Sequence, residues 1–153
     1  MKKISMMLIV FLAMTSCKQK ETPAETPKSI QQDTLVVTPT LGKNCYSFEG
    51  NGSKIDLKIT ETSNGISGTL DYRLAEKDKN SGTFQGTMKD DTLVATYTFQ
   101  SEGTESIREV AFLLKDNQFI EGYGELDATG TKFKNPTAIQ FTSNMPLSKT
   151  DCN

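Results

Sequence analysis

Histidine and tryptophan are both absent from the 153-residue sequence. Without an imidazole there is no Ser-His-Asp or Cys-His catalysis, no His-ligated metal and no histidine switch near neutral pH. Cysteine is scarce, with three residues in all, which excludes a Cys₄ metal site. Basic blocks are missing: 17 Lys and Arg stand against 19 Asp and Glu, a net charge of −2. The electrostatic footprint of a nucleic-acid binder is therefore not there. The longest apolar run, Ile4 to Met14, is too short to cross a bilayer as a helix, which takes about 20 residues. Asp56 and Asp90-Asp91 lack calcium-loop spacing. The sequence points to no catalytic residue, no metal and no cofactor.

What is present begins with an address. Lys2 and Lys3 precede the apolar run, which is broken only by Ser5 and has the length of a secretory h-region. The segment Met14-Thr15-Ser16-Cys17 that follows resembles the lipobox of bacterial lipoproteins, with Met14 where Leu is usual. The resemblance implies a diacylglyceryl group on the Cys17 sulfur, cleavage before Cys17 and a palmitate-type membrane anchor. Two or three acyl chains hold stably, because each buried CH₂ contributes about 0.8 kcal/mol. Lys18 after the cysteine implies sorting to the outer membrane, so the expected location is the cell envelope, facing the periplasm or the surface.

The expected organisation is a lipoprotein signal over 1–16, a lipidated Cys and flexible tether over 17–42, and a β-barrel domain over 43–153. The tether contains Pro23, Pro27 and Pro39 among Thr, Lys, Glu and Gln, a composition that buries too little apolar surface to offset its ordering entropy. From Asn44 the texture becomes short alternating segments between turn signals. These predict strands at Cys45 to Phe48, Ser53 to Glu61, Ile66 to Leu74, Gly82 to Met88, Thr92 to Gln100, Ser106 to Leu114, Gln118 to Leu126 and Thr137 to Thr142. The connecting turns are Gly50-Asn51-Gly52, Asn64-Gly65, Asp90-Asp91, Glu102-Gly103 and Asp116-Asn117, with a looser loop over Asp127 to Pro136. About eight antiparallel strands joined in sequence must protect their edges, and an up-and-down barrel does so. Glycines 68, 86, 122 and 124 are read as inward positions of tight curvature. With Cys17 lipidated, Cys45 and Cys152 form an even pair bracketing the strands, and a disulfide between them is expected in an exported protein.

Three segments could carry chemistry. The charged run Glu76-Lys77-Asp78-Lys79-Asn80 reads as a hairpin loop and, with Glu102, as a surface for a partner. In Ser106 to Leu114, Arg108 shares a face with Val110, Phe112 and Leu114, while Glu109 shares one with Ile107, Ala111 and Leu113. Both faces are apolar further along, so one of these charges points inward near a strand end. An inward charge costs several kcal/mol unless paired. An Arg in a barrel mouth can bind a carboxylate bidentately, or pair with a Glu to plug the end. Tyr72, Tyr97 and Phe99 would line such a mouth beside Arg108. In the third segment Glu121, Tyr123 and Glu125 share one face and are read as solvent-facing. Carboxylates four residues apart on a strand lie roughly 13 Å apart, too far for a glycosidase couple.

The segment Gly65-Ile66-Ser67-Gly68-Thr69-Leu70 resembles an early hairpin of avidin/lipocalin-like (calycin) barrels. That resemblance implies an all-β up-and-down barrel; the biotin site of avidins, which needs several Trp, does not carry over. The lipobox, the Cys45-Tyr46 start, the Ser101–Val110 segment, Gly122-Tyr123-Gly124 and a terminal Cys together resemble a group of small Bacteroidetes lipoproteins, and no activity comes with that likeness. Small lipoprotein barrels that inhibit c-type lysozyme offer another parallel, with Ser101 to Arg108 in place of their inserted loop.

The sequence therefore leads to a lipid-anchored, monomeric envelope barrel with a non-enzymatic binding or structural role, its partner a small molecule or an envelope protein. A lysozyme-inhibitor-type lipoprotein and a carboxylate-based hydrolase are the alternatives. The number of large inward residues favours a filled interior over an open one. Mass spectrometry of the envelope-extracted protein is expected to find a mature N-terminus at Cys17 carrying acyl chains; an intact Met1 terminus would refute the address.

Overall fold

A computed structural model describes residues 41–152. The signal, Cys17 and most of the tether lie outside the described residues. Eight strands run β1 Cys45–Gly50, β2 Ser53–Glu61, β3 Ile66–Arg73, β4 Asn80–Lys89, β5 Thr92–Ser101, β6 Thr104–Lys115, β7 Gln118–Gly122 and β8 Leu147–Thr150. Each pairs antiparallel with its sequence neighbour, and β8 pairs back onto β1, so the order β1-β2-β3-β4-β5-β6-β7-β8 forms a closed barrel. The all-β up-and-down barrel expected from the sequence is the fold observed.

Alternation builds it. In β3 the side chains of Ile66, Leu70 and Tyr72 are buried, while Thr69 and Arg73 are exposed. The same period-2 pattern in β2 and β5 buries Ile55, Leu57, Ile59, Leu93, Ala95 and Tyr97. Full burial of such side chains contributes about 1.5–3 kcal/mol each. Tyr46 and Phe119 meet edge to face at 4.7 Å between ring centroids, and Phe112 adds a further edge contact to Phe119.

The hairpins use the turn residues the twist demands. Asn51-Gly52, Glu102-Gly103 and Asp116-Asn117 all have positive φ at both central positions, the type I′ geometry that matches right-handed strand twist. Gly68 marks the tightest approach between strands: a Cβ there would lie 1.8 Å from the Lys58 carbonyl oxygen. Beside it, the β2–β3 register shifts between Ile59 and Glu61, where a bulge bends the strand.

The C-terminal third corrects the expectation. Thr137 to Thr142 is not a strand. Pro136–Ala138 is a 3₁₀ turn capped by the Asn135 side chain, which accepts from the Thr137 N–H. Between it and β8, Gln140 forms an isolated bridge with Tyr123. Pro136 has no N–H to give a ladder, and the cap draws the next residue into a turn instead. The eighth strand is the short Leu147–Thr150, and β7 stops at Gly122 rather than at Leu126. Nor is Gly122 an inward position. A Cβ on it would meet Ile139 and Phe141 within 2.6 Å, because the 123–146 segment folds back over the outside of β6 and β7. Backbone bonds from the Glu109 N–H to the Thr131 carbonyl and from the Lys134 N–H to the Glu125 carbonyl secure it.

The meander gives the barrel two unlike ends. Leu41, the Cys45–Cys152 bridge and the β2–β3, β4–β5 and β6–β7 turns gather at one. The β3–β4 loop, the β1–β2 and β5–β6 turns and the 123–146 segment gather at the other. The half-cystines have Cα atoms 5.2 Å apart and close a loop of 107 residues in sequence. Urea unfolding of a Cys45→Ser/Cys152→Ser chain is expected to show a loss of about 2–5 kcal/mol, with an unchanged midpoint ruling the bridge out as a stabiliser.

Candidate functional site

Four strands bring their polar inward residues to the end of the barrel opposite the disulfide. Tyr72 stands near the end of β3, Tyr97 and Phe99 near the end of β5, Arg108 near the start of β6 and Glu121 near the end of β7. Because the strands alternate in direction, these positions reach one rim despite their separation along the chain.

Arg108, not Glu109, is the charge that turns inward. Register places it opposite Tyr97, and its guanidinium carbon lies 5.4 Å from the Tyr72 ring centroid, 5.9 Å from Tyr97 and 5.5 Å from Phe99. Tyr97 and Phe99 are themselves stacked at 4.8 Å. The cation thus sits against three aromatic faces, an attraction worth about 0.5–2 kcal/mol per contact depending on exposure. Glu109 faces outward and accepts the Phe133 N–H at 2.8 Å, which docks the 123–146 segment. Arg108 makes none of the ion pairs found among the described residues. Its Nε is buried and has no hydrogen-bond partner among them. An orphaned buried donor costs about 1–3 kcal/mol.

Glu121 was expected to face solvent, and it does not. It is only 8% exposed. Phe119, fully buried two residues earlier, sets the phase of β7 and carries Glu121 inward with it. The Tyr72 hydroxyl donates to Oε1 at 2.7 Å across the barrel, and the Tyr123 hydroxyl donates to Oε2 at 3.4 Å. Burial pushes the Glu121 carboxyl above its usual value, against the lowering pull of the Tyr72 hydrogen bond and the Arg108 charge. Burial and the neighbouring Glu121 carboxylate push the Tyr72 hydroxyl well above the usual tyrosine value. Tyr97 donates its hydroxyl to the Leu70 carbonyl at 2.7 Å, so its ring is fixed as a platform.

Tyr72, Arg108, Glu121 and Tyr123 border a cavity of about 430 Å³, whose lining also includes the apolar Leu74, Val110 and Met145. Its lining also takes in Glu109, Gly122 and Phe133, so it lies between the inward residues of this rim and the returning segment. The size lies within the range of small-molecule sites. A larger concavity of about 760 Å³ lies outside the barrel over β3 to β5, but its lining holds no titratable group.

The sequence-named residues divide accordingly. Tyr72, Tyr97, Phe99 and Arg108 come together as one cluster. Of the loop residues, Lys77 reaches the cavity lining, Lys79 lies 4.0 Å from Asp71, and Glu76 holds a positive φ of 59°. Asp78 lies in the same exposed loop. Glu102 occupies a two-residue turn at the same end. That turn is tight, with positive φ at Glu102 and Gly103, and within Ser101 to Arg108 the Arg108 side chain is directed at the aromatic rings. Glu121 is the residue sequence reasoning missed; the one signal was the period-2 phase set by Phe119. No family model, curated protein or solved structure matches the chain.

The raised Glu121 value has a sign that can be measured. The folded barrel holds this proton more tightly than the unfolded chain, where the ordinary value near 4.5 applies. Its contribution to stability is complete below that value and is lost as pH rises through the folded one. Urea midpoints across pH are therefore expected to show wild type losing ground to Glu121→Gln as pH rises above about 4.5; a gap that stays constant with pH would contradict the assignment.

Proposed function

We propose that this protein is a lipid-anchored barrel of the bacterial cell envelope that binds, without transforming, a small molecule bearing a carboxylate. The observation that carries the reading is the orphaned Nε of Arg108, buried at the border of an open cavity and held in place by three aromatic rings. Arg presents planar paired donors that match a carboxylate, and a ligand oxygen would supply the missing acceptor. The aromatic platform fixes the guanidinium beforehand, so little entropy is lost when the ligand arrives.

A binding role is favoured over chemistry by what surrounds the cluster. Cys45 and Cys152 are joined, so neither is a nucleophile. Both oxygens of Glu121 accept tyrosine hydroxyls, while the other carboxylate of the lining, Glu109, is occupied by a backbone N–H. The lipobox around Cys17 supports the anchor. The likeness to small Bacteroidetes lipoproteins supports the setting.

Calorimetric titration of the full chain in detergent with 3-phenylpropionate and L-phenylalanine tests the reading. At least one is expected to bind, and Arg108→Met is expected to weaken that binding by about tenfold or more. Binding that survives the substitution undamped, or no binding by either compound, refutes it.

A further inference from the structure

We propose that the bound molecule is a zwitterion: a compact apolar body carrying a carboxylate that meets Arg108 and an ammonium that meets Glu121. This inference rests on the carboxylate reading above and names the other half of the ligand.

Charge balance is the first argument. Four side chains of the lining carry formal charge, Lys77 and Arg108 of one sign and Glu109 and Glu121 of the other. A simple anion would leave net charge beside the Glu121 carboxylate in a partly desolvated space. A simple cation would do the same beside Arg108. A molecule with both poles adds no net charge and gives each group a counter-charge, the arrangement that low local dielectric rewards most.

The second argument is that Arg108 and Glu121 face one cavity without satisfying each other. No ion pair joins them, and each is held in place by other groups: Arg108 by the rings of Tyr72, Tyr97 and Phe99, Glu121 by the hydroxyls of Tyr72 and Tyr123. Tyr72 belongs to both sets. Its ring face lies under the guanidinium while its hydroxyl holds the carboxylate, so one side chain keeps the two charges apart. A direct salt bridge would have closed the site, and this spacer leaves it open for a ligand.

Donor and acceptor inventories fix the polarity. Arg108 has only donors to offer, and ionised Glu121 only acceptors. A carboxylate has about four lone-pair sites, and two hydroxyls reach Glu121, one at the long distance of 3.4 Å. Acceptor capacity remains for an ammonium. An ammonium there also opposes the burial that pushes the Glu121 carboxyl up, so ligand and ionised Glu121 stabilise one another. Leu74, Val110 and Met145 supply the wall for the apolar body. A free α-amino acid and a short peptide share this chemistry and differ in the span between their poles.

The test is a four-probe calorimetric titration of the full chain in detergent: L-phenylalanine, glycyl-L-phenylalanine, 3-phenylpropionate and 2-phenylethylamine. One zwitterion is expected to bind at least about tenfold tighter than either singly charged probe, and which one wins distinguishes amino acid from peptide. Glu121→Gln is expected to weaken that zwitterion by about tenfold or more and so to erase its advantage over 3-phenylpropionate measured on the same variant. The comparison among probes on the wild-type chain stands whether or not the variant folds. If 3-phenylpropionate equals or exceeds both zwitterions, the zwitterion is overturned and the carboxylate reading survives. If only 2-phenylethylamine binds, or no probe does, both fall.

Discussion

Three residue pairs with β1 and two with β7 hold β8 in the sheet. They form the slightest ladder in the molecule, yet every other feature depends on it. Without β8 the meander would end in two open edges, at β1 and β7, each a row of unpaired backbone groups. With it, the inward faces of eight strands enclose one core and one rim. The Cys45–Cys152 bridge stands at this seam, next to the Cys45↔Thr150 pair. The covalent link thus reinforces the place where hydrogen bonding is thinnest, and the position of Arg108 and Glu121 relative to one another follows from the closure.

An all-apolar interior would have been the cheaper way to fill such a barrel. Instead the far end carries a guanidinium, a carboxyl and two tyrosine hydroxyls. The costs are visible in the raised Glu121 carboxyl and in the Arg108 Nε without an acceptor. The surrounding architecture over-determines the arrangement. The Tyr97 ring is pinned by the Leu70 carbonyl and Tyr72 by Glu121, and Phe99 stacks on Tyr97. Polar groups held against their own desolvation by neighbours with no other task are characteristic of functional sites.

Much of the barrel is legible in the sequence because period-2 alternation and I′ turn pairs are local signals. The first six strands fall where these signals place them, and Arg108 is legible as a conflict, a charge in phase with Val110 and Phe112. Two features are not legible, for definable reasons. Leu147–Thr150 is four residues with one apolar side chain, too short for alternation to register. Glu121 is hidden because both faces of β7 carry apolar residues. The outer face is covered by Ile139 and Phe141 of the returning segment, so Ile120 imitates a core residue. The bond from Tyr72 to Glu121 spans 49 positions, and only closure brings them together.

The chain enters the described fold at Leu41, beside the bridged end. Tension applied upstream would therefore meet the packed Leu41 and the Asn44 backbone bond to Ile59, and at Cys45 divide through the disulfide between the first and last strands. The seam would carry that load as a pair of strands acting together, so β1 could not be peeled away alone. The aromatic platform beneath Arg108 lies at the opposite rim, outside the path of the force. A barrel held by its N-terminal side could be tugged without disturbing the cluster around Arg108.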